Sequence, residues 1–224
     1  MRICIASSGL GHITRGIESW ADDLGHALNK RGMNVTLCKG GGTSDAEFEH
    51  VLPCLTRYSR ANARVMRLTP RAMWRVGLTS CYDLEQLTFL PPLLRHLRRH
   101  RSQILHVQDP LLALWVQRAN RMGIVPTRVI LNHGTNESPE FLRKIIYLQH
   151  GAPVHLDAAR AAGCYRPTWC AIPNFIDIKT FRPGRCDAMR EELGIPRAAT
   201  LVLCVAAIKR EHKRIDHLIR EFAA

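Results

Sequence analysis

Arg2-Ile3-Cys4-Ile5-Ala6-Ser7-Ser8-Gly9-Leu10-Gly11-His12 opens the chain, and its reading decides the fold. Residues 2–6 are a short, almost wholly apolar run ending in a glycine-bearing turn, which reads as a buried strand. From about Arg15 to Arg31 the period changes. Ile17, Trp20, Ala21, Leu24, Ala27 and Leu28 recur at helical spacing, with Thr14 as the expected cap. Gly32 ends this helix in the left-handed conformation that glycine adopts at least cost. Val35-Thr36-Leu37-Cys38 is a second strand, broken by Gly40-Gly41-Gly42.

The alternation continues outward from this unit. A strand is expected at His50–Leu55 with helical segments beyond, although residues 43–90 are less legible. Pro91-Pro92 is expected to open a basic helix, followed by a strand at Ile104–Val107 and a helix over Leu111–Met122. Val129–Asn132 reads as a strand, the region Pro139–Gln149 as a helix, His155–Ala162 as another, and Trp169–Ile172 as a last short strand. Alternating strands and helices define an α/β, doubly wound parallel sheet.

At residue 173 the texture changes. Ile172-Pro173-Asn174-Phe175-Ile176-Asp177 and Phe181-Arg182-Pro183-Gly184 form a proline-punctuated connector. Beyond it come a short helix ending near Leu193, a buried strand at Thr200–Ala207, a polar loop, and a helix from about Arg214. One strand and one helix cannot cover both faces of a sheet. The expected organisation is a complete domain over residues 1–172, a connector over 173–184, and the incomplete start of a second domain over 185–224.

Composition sets outer limits. With 46% hydrophobic and 23% charged residues, the chain is ordinary globular material. No stretch approaches the ~18 consecutive apolar residues of a membrane span, and the opening run is too short for a secretory signal. A cytoplasmic location is the expectation. Eight cysteines carry no CxxC pair, and Cys4, Cys38 and Cys204 lie inside apolar runs, so reduced, buried thiols are expected, with no metal. The net charge of +13 attracts anions without specifying which. In Leu93–Arg101 the leucines share one helical face and the arginines the other, as on a solvated helix or one resting on an anionic membrane. No basic patch is interleaved with aromatics, so nucleic acid is not an expected partner.

Three loops fall where strands deliver residues to the carboxyl edge of the sheet, the edge at which such folds bind ligands. They are Ser8–Gly16, His106-Val107-Gln108-Asp109-Pro110, and His133-Gly134-Thr135-Asn136-Glu137. The first does not have dinucleotide-binding spacing, because Thr14 stands where a third glycine belongs, and the second strand ends in Cys38-Lys39 without an acid for a ribose. A fourth loop, Ile208-Lys209-Arg210-Glu211-His212-Lys213-Arg214, places four cations between strand and helix, as a diphosphate clamp or a solvated charge run.

Together these residues resemble family 4 of the retaining glycosyltransferases, which have the GT-B fold of two Rossmann-like domains. The resemblance rests on the Gly9-Leu10-Gly11 opening continuing through Gly16-Ile17-Glu18-Ser19-Trp20 and Leu24-Gly25-His26-Ala27-Leu28, and on His106–Pro110. It rests also on Ile172–Asp177 with Phe181 and Pro183, which is similar to the family's interdomain signature with Phe175 in place of glycine, and on Val205–Ile219.

The resemblance implies a nucleotide-diphosphate sugar as co-substrate, a hexose transferred to a sugar or lipid-linked acceptor, and no metal or other cofactor. It implies that His133 and Lys213 are catalytic, and that Lys209, Arg210 and Lys213 bind donor phosphate. Gly9, Gly11, His12, Asp109, Asn136 and Glu137 would meet the acceptor or the transferred sugar. The family's usual arginine just after the strand is absent, since Ala206-Ala207-Ile208 stands there. The chain alone is expected to be an inactive fragment, cytoplasmic and in some settings peripheral to the inner face of the membrane. A module binding an acceptor or a membrane surface without catalysis is the alternative, with a Rossmann-fold oxidoreductase behind it.

Overall fold

The computed structural model describes residues 1–134, 137–184, 187–206 and 214–223, in two compact units, Met1–Phe175 and Ile176–Ala224. The first unit holds seven strands: β1 (Arg2–Ser7), β2 (Asn34–Lys39), β3 (Glu49–Val51), β4 (Ile104–Val107), β5 (Arg128–His133), β6 (Tyr147–His150) and β7 (Trp169–Ala171). They form one parallel sheet in the order β3-β2-β1-β4-β5-β6-β7. The order reverses between β1 and β4, the point at which folds of this kind carry a ligand crevice at the carboxyl edge.

Six α-helices connect the strands: α1 (Gly16–Lys30), α2 (Arg60–Leu68), α3 (Cys81–His100), α4 (Pro110–Arg121), α5 (Pro139–Leu142) and α6 (Pro153–Ala161). Side chains alternate between faces along each strand, and the core divides accordingly. Ile3, Ile5, Val35 and Leu37 pack with Trp20 and Ala21 of α1 on one face. Cys4, Ala6, Cys38, Leu105, Val107 and Leu131 pack on the other, with Phe89, Leu93 and Leu97 of α3 and Leu112 and Val116 of α4.

Several expectations need correction. Thr14 does not cap α1; Arg15 holds the cap position without a side-chain bond, and its guanidinium instead reaches Glu18 at 2.9 Å. Pro91 and Pro92 do not open a helix but lie inside α3, which begins ten residues earlier under a Ser80 cap. The two prolines remove backbone N–H donors. Burying Phe89, Leu93 and Leu97 completely offsets that loss, at about 1.5–3 kcal/mol each. The expected helix Pro139–Gln149 is a single turn, α5, followed by the buried strand β6. Short apolar runs such as Ile145–Leu148 do not separate buried strand from helix by period alone.

In the second unit, α7 (Asp187–Glu192) and α8 (Ile215–Ala223) match the helices expected there. The expected strand over Thr200–Ala207 is not formed in its described part, residues 200–206. Leu203 and Val205 are exposed, as is Cys204, which does not behave as a core thiol. A strand exists only against a neighbour, and among the described residues of this unit there is none. The described residues hold no helix long and apolar enough to cross a membrane.

Candidate active site

The loop after β1 lies against the loop after β2 with almost no side chain between them. Gly11 has φ +92°, and a Cβ there would sit 2.0 Å from the Gly41 carbonyl oxygen. A Cβ on Gly40 would sit 1.9 Å from the Ser8 carbonyl oxygen. Gly41 N–H donates to Leu10 O at 3.0 Å, closing the contact. Glycine is required here both for conformation and for close approach.

Beneath this loop is a buried polar cluster. Glu85, fully buried on α3, accepts from the Arg57 main-chain N–H at 2.6 Å and from Arg57 Nε at 3.0 and 3.1 Å. It also accepts from Ser8 Oγ at 3.1 Å and lies 3.0 Å from His12 Nε2. Burial opposes ionisation of Glu85, but the Arg57 and His12 bonds prevail and hold its carboxyl below the usual range. The Arg57 guanidinium stacks over the Tyr82 ring at 4.0 Å. Tyr82 donates to Asp109 Oδ1 at 2.6 Å, and Ser8 N–H donates to Asp109 Oδ2 at 2.7 Å. Full burial raises the Asp109 carboxyl, with these two bonds pulling the other way. The ends of β1 and β4 are thus fixed from within.

On the other side of the crevice, His133 and His150 end β5 and β6 in register. Their Nδ1 atoms are 3.3 Å apart, so one donates and the other accepts. His133 Nε2 lies 3.3 Å from Glu137 Oε2, and the His155 ring at the start of α6 is 6.3 Å from that of His133. Burial, with the His133 and His155 rings nearby, lowers His150 to about 4. The arrangement is a neutral imidazole holding a second, partly exposed one by its Nδ1, leaving the Nε2 edge beside a carboxylate.

Of the residues singled out in the sequence, Gly9, Gly11, His12 and Asp109 follow β1 and β4 at the carboxyl edge of the sheet, and His133 and Glu137 stand at the end of β5 on the same edge. Gly11 is exposed, and Gly9 is buried against Glu18 and Arg57. His12 is bonded to Glu85, with its Nδ1 buried and without a partner among the described residues. Asp109 is wholly buried and turned toward Ser8 and Tyr82. Asn136, Lys209, Arg210 and Lys213 lie outside the described residues. Arg57 is buried despite its charge. Arg57, Tyr82, Glu85 and His150 were not found from sequence; the only signal was a carboxylate, Glu85, at an otherwise apolar helix position.

His106 belongs elsewhere. Its ring packs on Trp20 at 5.0 Å between centroids, its Nε2 is 3.0 Å from Gln149 Oε1, and burial lowers it to about 4. With Ile3, Ile5, Trp20 and Phe175 it lines a hollow of about 300 Å³ on the α1 face of the sheet.

A seven-stranded parallel sheet whose strand order reverses beside β1 is the architecture of a GT-B glycosyltransferase domain. HepE from Anabaena, whose crystal structure was solved in complex with UDP, superposes with a TM-score of 0.51 at 13% identity, over 87% of this chain and 50% of that one. The chain therefore spans half the length of that relative. The model of Glycosyltransferase Family 4 matches residues 14–179, and the chain belongs to that family. No curated protein sequence matches.

Proposed function

We propose that this chain is the acceptor-side half of a retaining glycosyltransferase that moves a hexose from a nucleotide-diphosphate sugar to a sugar or lipid-linked acceptor. The observation that carries this is the convergence of the Gly9–His12 loop and the His133–His150 pair on one crevice edge in a family 4 chain. The glycine loop after β1 lets a sugar approach the backbone. His133, held at Nδ1 by His150 and beside Glu137, marks the part of the edge that meets the transferred sugar. Asp109 positions the loop.

Lys209, Arg210 and Lys213 take the donor diphosphate, and Lys213 neutralises it as it leaves. The acceptor attacks from the face the leaving group departs, and the departing phosphate takes its proton, without a metal in the transfer step. HepE's complex with UDP supports a uridine nucleotide as the first donor to try. Coverage of half of that relative supports the 224 residues being inactive alone. Arg95, Arg98 and Arg99, exposed on α3, support a cytoplasmic protein touching an anionic membrane where a lipid-linked acceptor lies.

The test is thermal stabilisation by nucleoside diphosphates and nucleotide sugars, on this chain and on a version joined to a complete donor-binding half. The short chain should show no shift. The longer one, with ligand at about a hundred times its dissociation constant, should gain about 2.7 kcal/mol. Its transfer rate should fall about 10²-fold or more in His133→Ala. Stabilisation by a nicotinamide cofactor, or full transfer in His133→Ala, would overturn the proposal. Binding of acceptor or anionic vesicles with no transfer by the longer protein would point instead to a non-catalytic module.

A further inference from the structure

We propose that His50, His96 and His100 form a binding site for a zinc-class divalent ion, remote from the crevice. His50 lies on β3; His96 and His100 are four residues apart on α3, so they share a helix face. The ring centroids are 4.8 Å apart for His50 and His96, 5.4 Å for His50 and His100, and 4.2 Å for the stacked pair His96 and His100. One nitrogen from each ring lies within 4.8 Å of the other two. A tetrahedral zinc with bonds of 2.0–2.1 Å sets its nitrogens about 3.3 Å apart, so modest rotation of the rings brings them into range.

The chemistry around the cluster argues for a cation that imidazole binds. Among the described residues, no carboxylate forms an ion pair with any of the three rings. Glu49, next to His50, is occupied by Lys39 at 2.7 Å. His96 Nε2 lies 3.4 Å from the Thr36 hydroxyl, a long contact that a bound ion would replace. An all-nitrogen set with an open position suits zinc and disfavours magnesium or calcium, which take oxygen ligands.

Behind His96 lie the thiols of Cys4 and Cys38, 3.6 Å apart and fully buried, each with its sulfur within 4.8 Å of a His96 nitrogen. They contact each other inside the core. The assignment is to the three histidines, of which only His96 is buried, so that an ion can reach them. His96 is eleven residues along α3 from Glu85, about 16 Å at the helical rise. The ion would tie β3 to α3 without touching the sugar crevice, so the proposal stands independently of the transferase reading.

The experiment uses tag-free chain stripped with chelator, titrated with Zn²⁺ against a chromogenic competitor, and with Co²⁺ followed by its visible spectrum. One equivalent should bind, with a rise in Tm that EDTA reverses. Even changing a residue behind a metal ligand costs 10–100-fold in affinity, so removing two ligands in H50Q/H100Q should cost at least about 100-fold. Its Tm in EDTA should match that of the unaltered chain, which separates lost binding from lost folding. Failure of the unaltered chain to bind, or binding that survives in H50Q/H100Q, would overturn the proposal. So would a strong sulfur-to-cobalt charge-transfer band, which would place the ion on Cys4 and Cys38.

Discussion

The Ser8 main-chain N–H donates to Asp109 Oδ2 at 2.7 Å, joining the end of β1 to the residue before α4 across the point where the strand order reverses. The other oxygen of the same carboxylate holds the Tyr82 hydroxyl. Asp109→Ala should orphan two buried donors and cost about 2–6 kcal/mol, at about 1–3 kcal/mol for each unsatisfied group. Asp109→Asn should cost far less, because its amide oxygen still accepts from Ser8 and its NH₂ can donate to Tyr82. Urea unfolding midpoints distinguish the two. Equal losses would mean that the charge of Asp109, rather than its bonds, holds the loop.

Arg57 and Glu85 form a buried pair. Arg57→Met strands a carboxylate in the core and should cost about 3–5 kcal/mol. Adding Glu85→Gln to that variant removes the charge, and part of the stability should return. A double variant less stable than Arg57→Met, measured by the same unfolding curves, would refute this account.

Two glycines of one segment should differ sharply. Gly11→Ala places a methyl 2.0 Å from a carbonyl oxygen at a positive φ, while a Cβ on Gly16 meets nothing within 4 Å. Gly16→Ala, at the first turn of α1, should be neutral or stabilising by up to about 1 kcal/mol. Gly11→Ala should displace the loop and lower Tm by several degrees, at about 2–4 °C per kcal/mol. Scanning calorimetry of both is a direct check.

The sequence reading was most secure where two signals agreed. At Arg2–Gly32 an apolar run, a glycine turn and a helical period coincide, and β1, α1 and the helix-ending glycine lie close to where they were expected. It failed where one signal had to serve alone. Ile145–Leu148 is apolar in either structure, and Pro91-Pro92 marks a helix start in most settings yet lies inside α3. At the candidate site, His133 stood out in the sequence because it closes an apolar strand with a polar run behind it. Arg57 and Glu85 were not, since their pairing across 28 positions exists only after folding. His50, His96 and His100 likewise come together from β3 and α3.

Stability should also depend on pH in a defined direction. Burial is the main cause that lowers His106 and His150 to about 4, against an ordinary value near 6.5. The unfolded chain therefore takes up protons that the folded chain refuses between those values. Their contribution is complete above about pH 6.5 and is lost as pH falls toward 4. In EDTA, Tm should be level from pH 8 to 7 and then fall by at least about 3 °C by pH 5, roughly one kcal/mol for a chain of this size. An unchanged Tm over that range would mean that both rings titrate normally.

The close approach of Gly9–Gly11 to Gly40–Gly42 has a consequence for how this chain can change over generations of substitution. Two loops that touch backbone to backbone leave no slack, so a side chain gained by one must be answered by a retreat of the other. Neither loop can lengthen by itself without parting β1 from β2. Substitution at this edge of the sheet is thereby directed to the loops after β5 and β6. There the histidines meet through side chains, and a residue can be exchanged without moving the main chain.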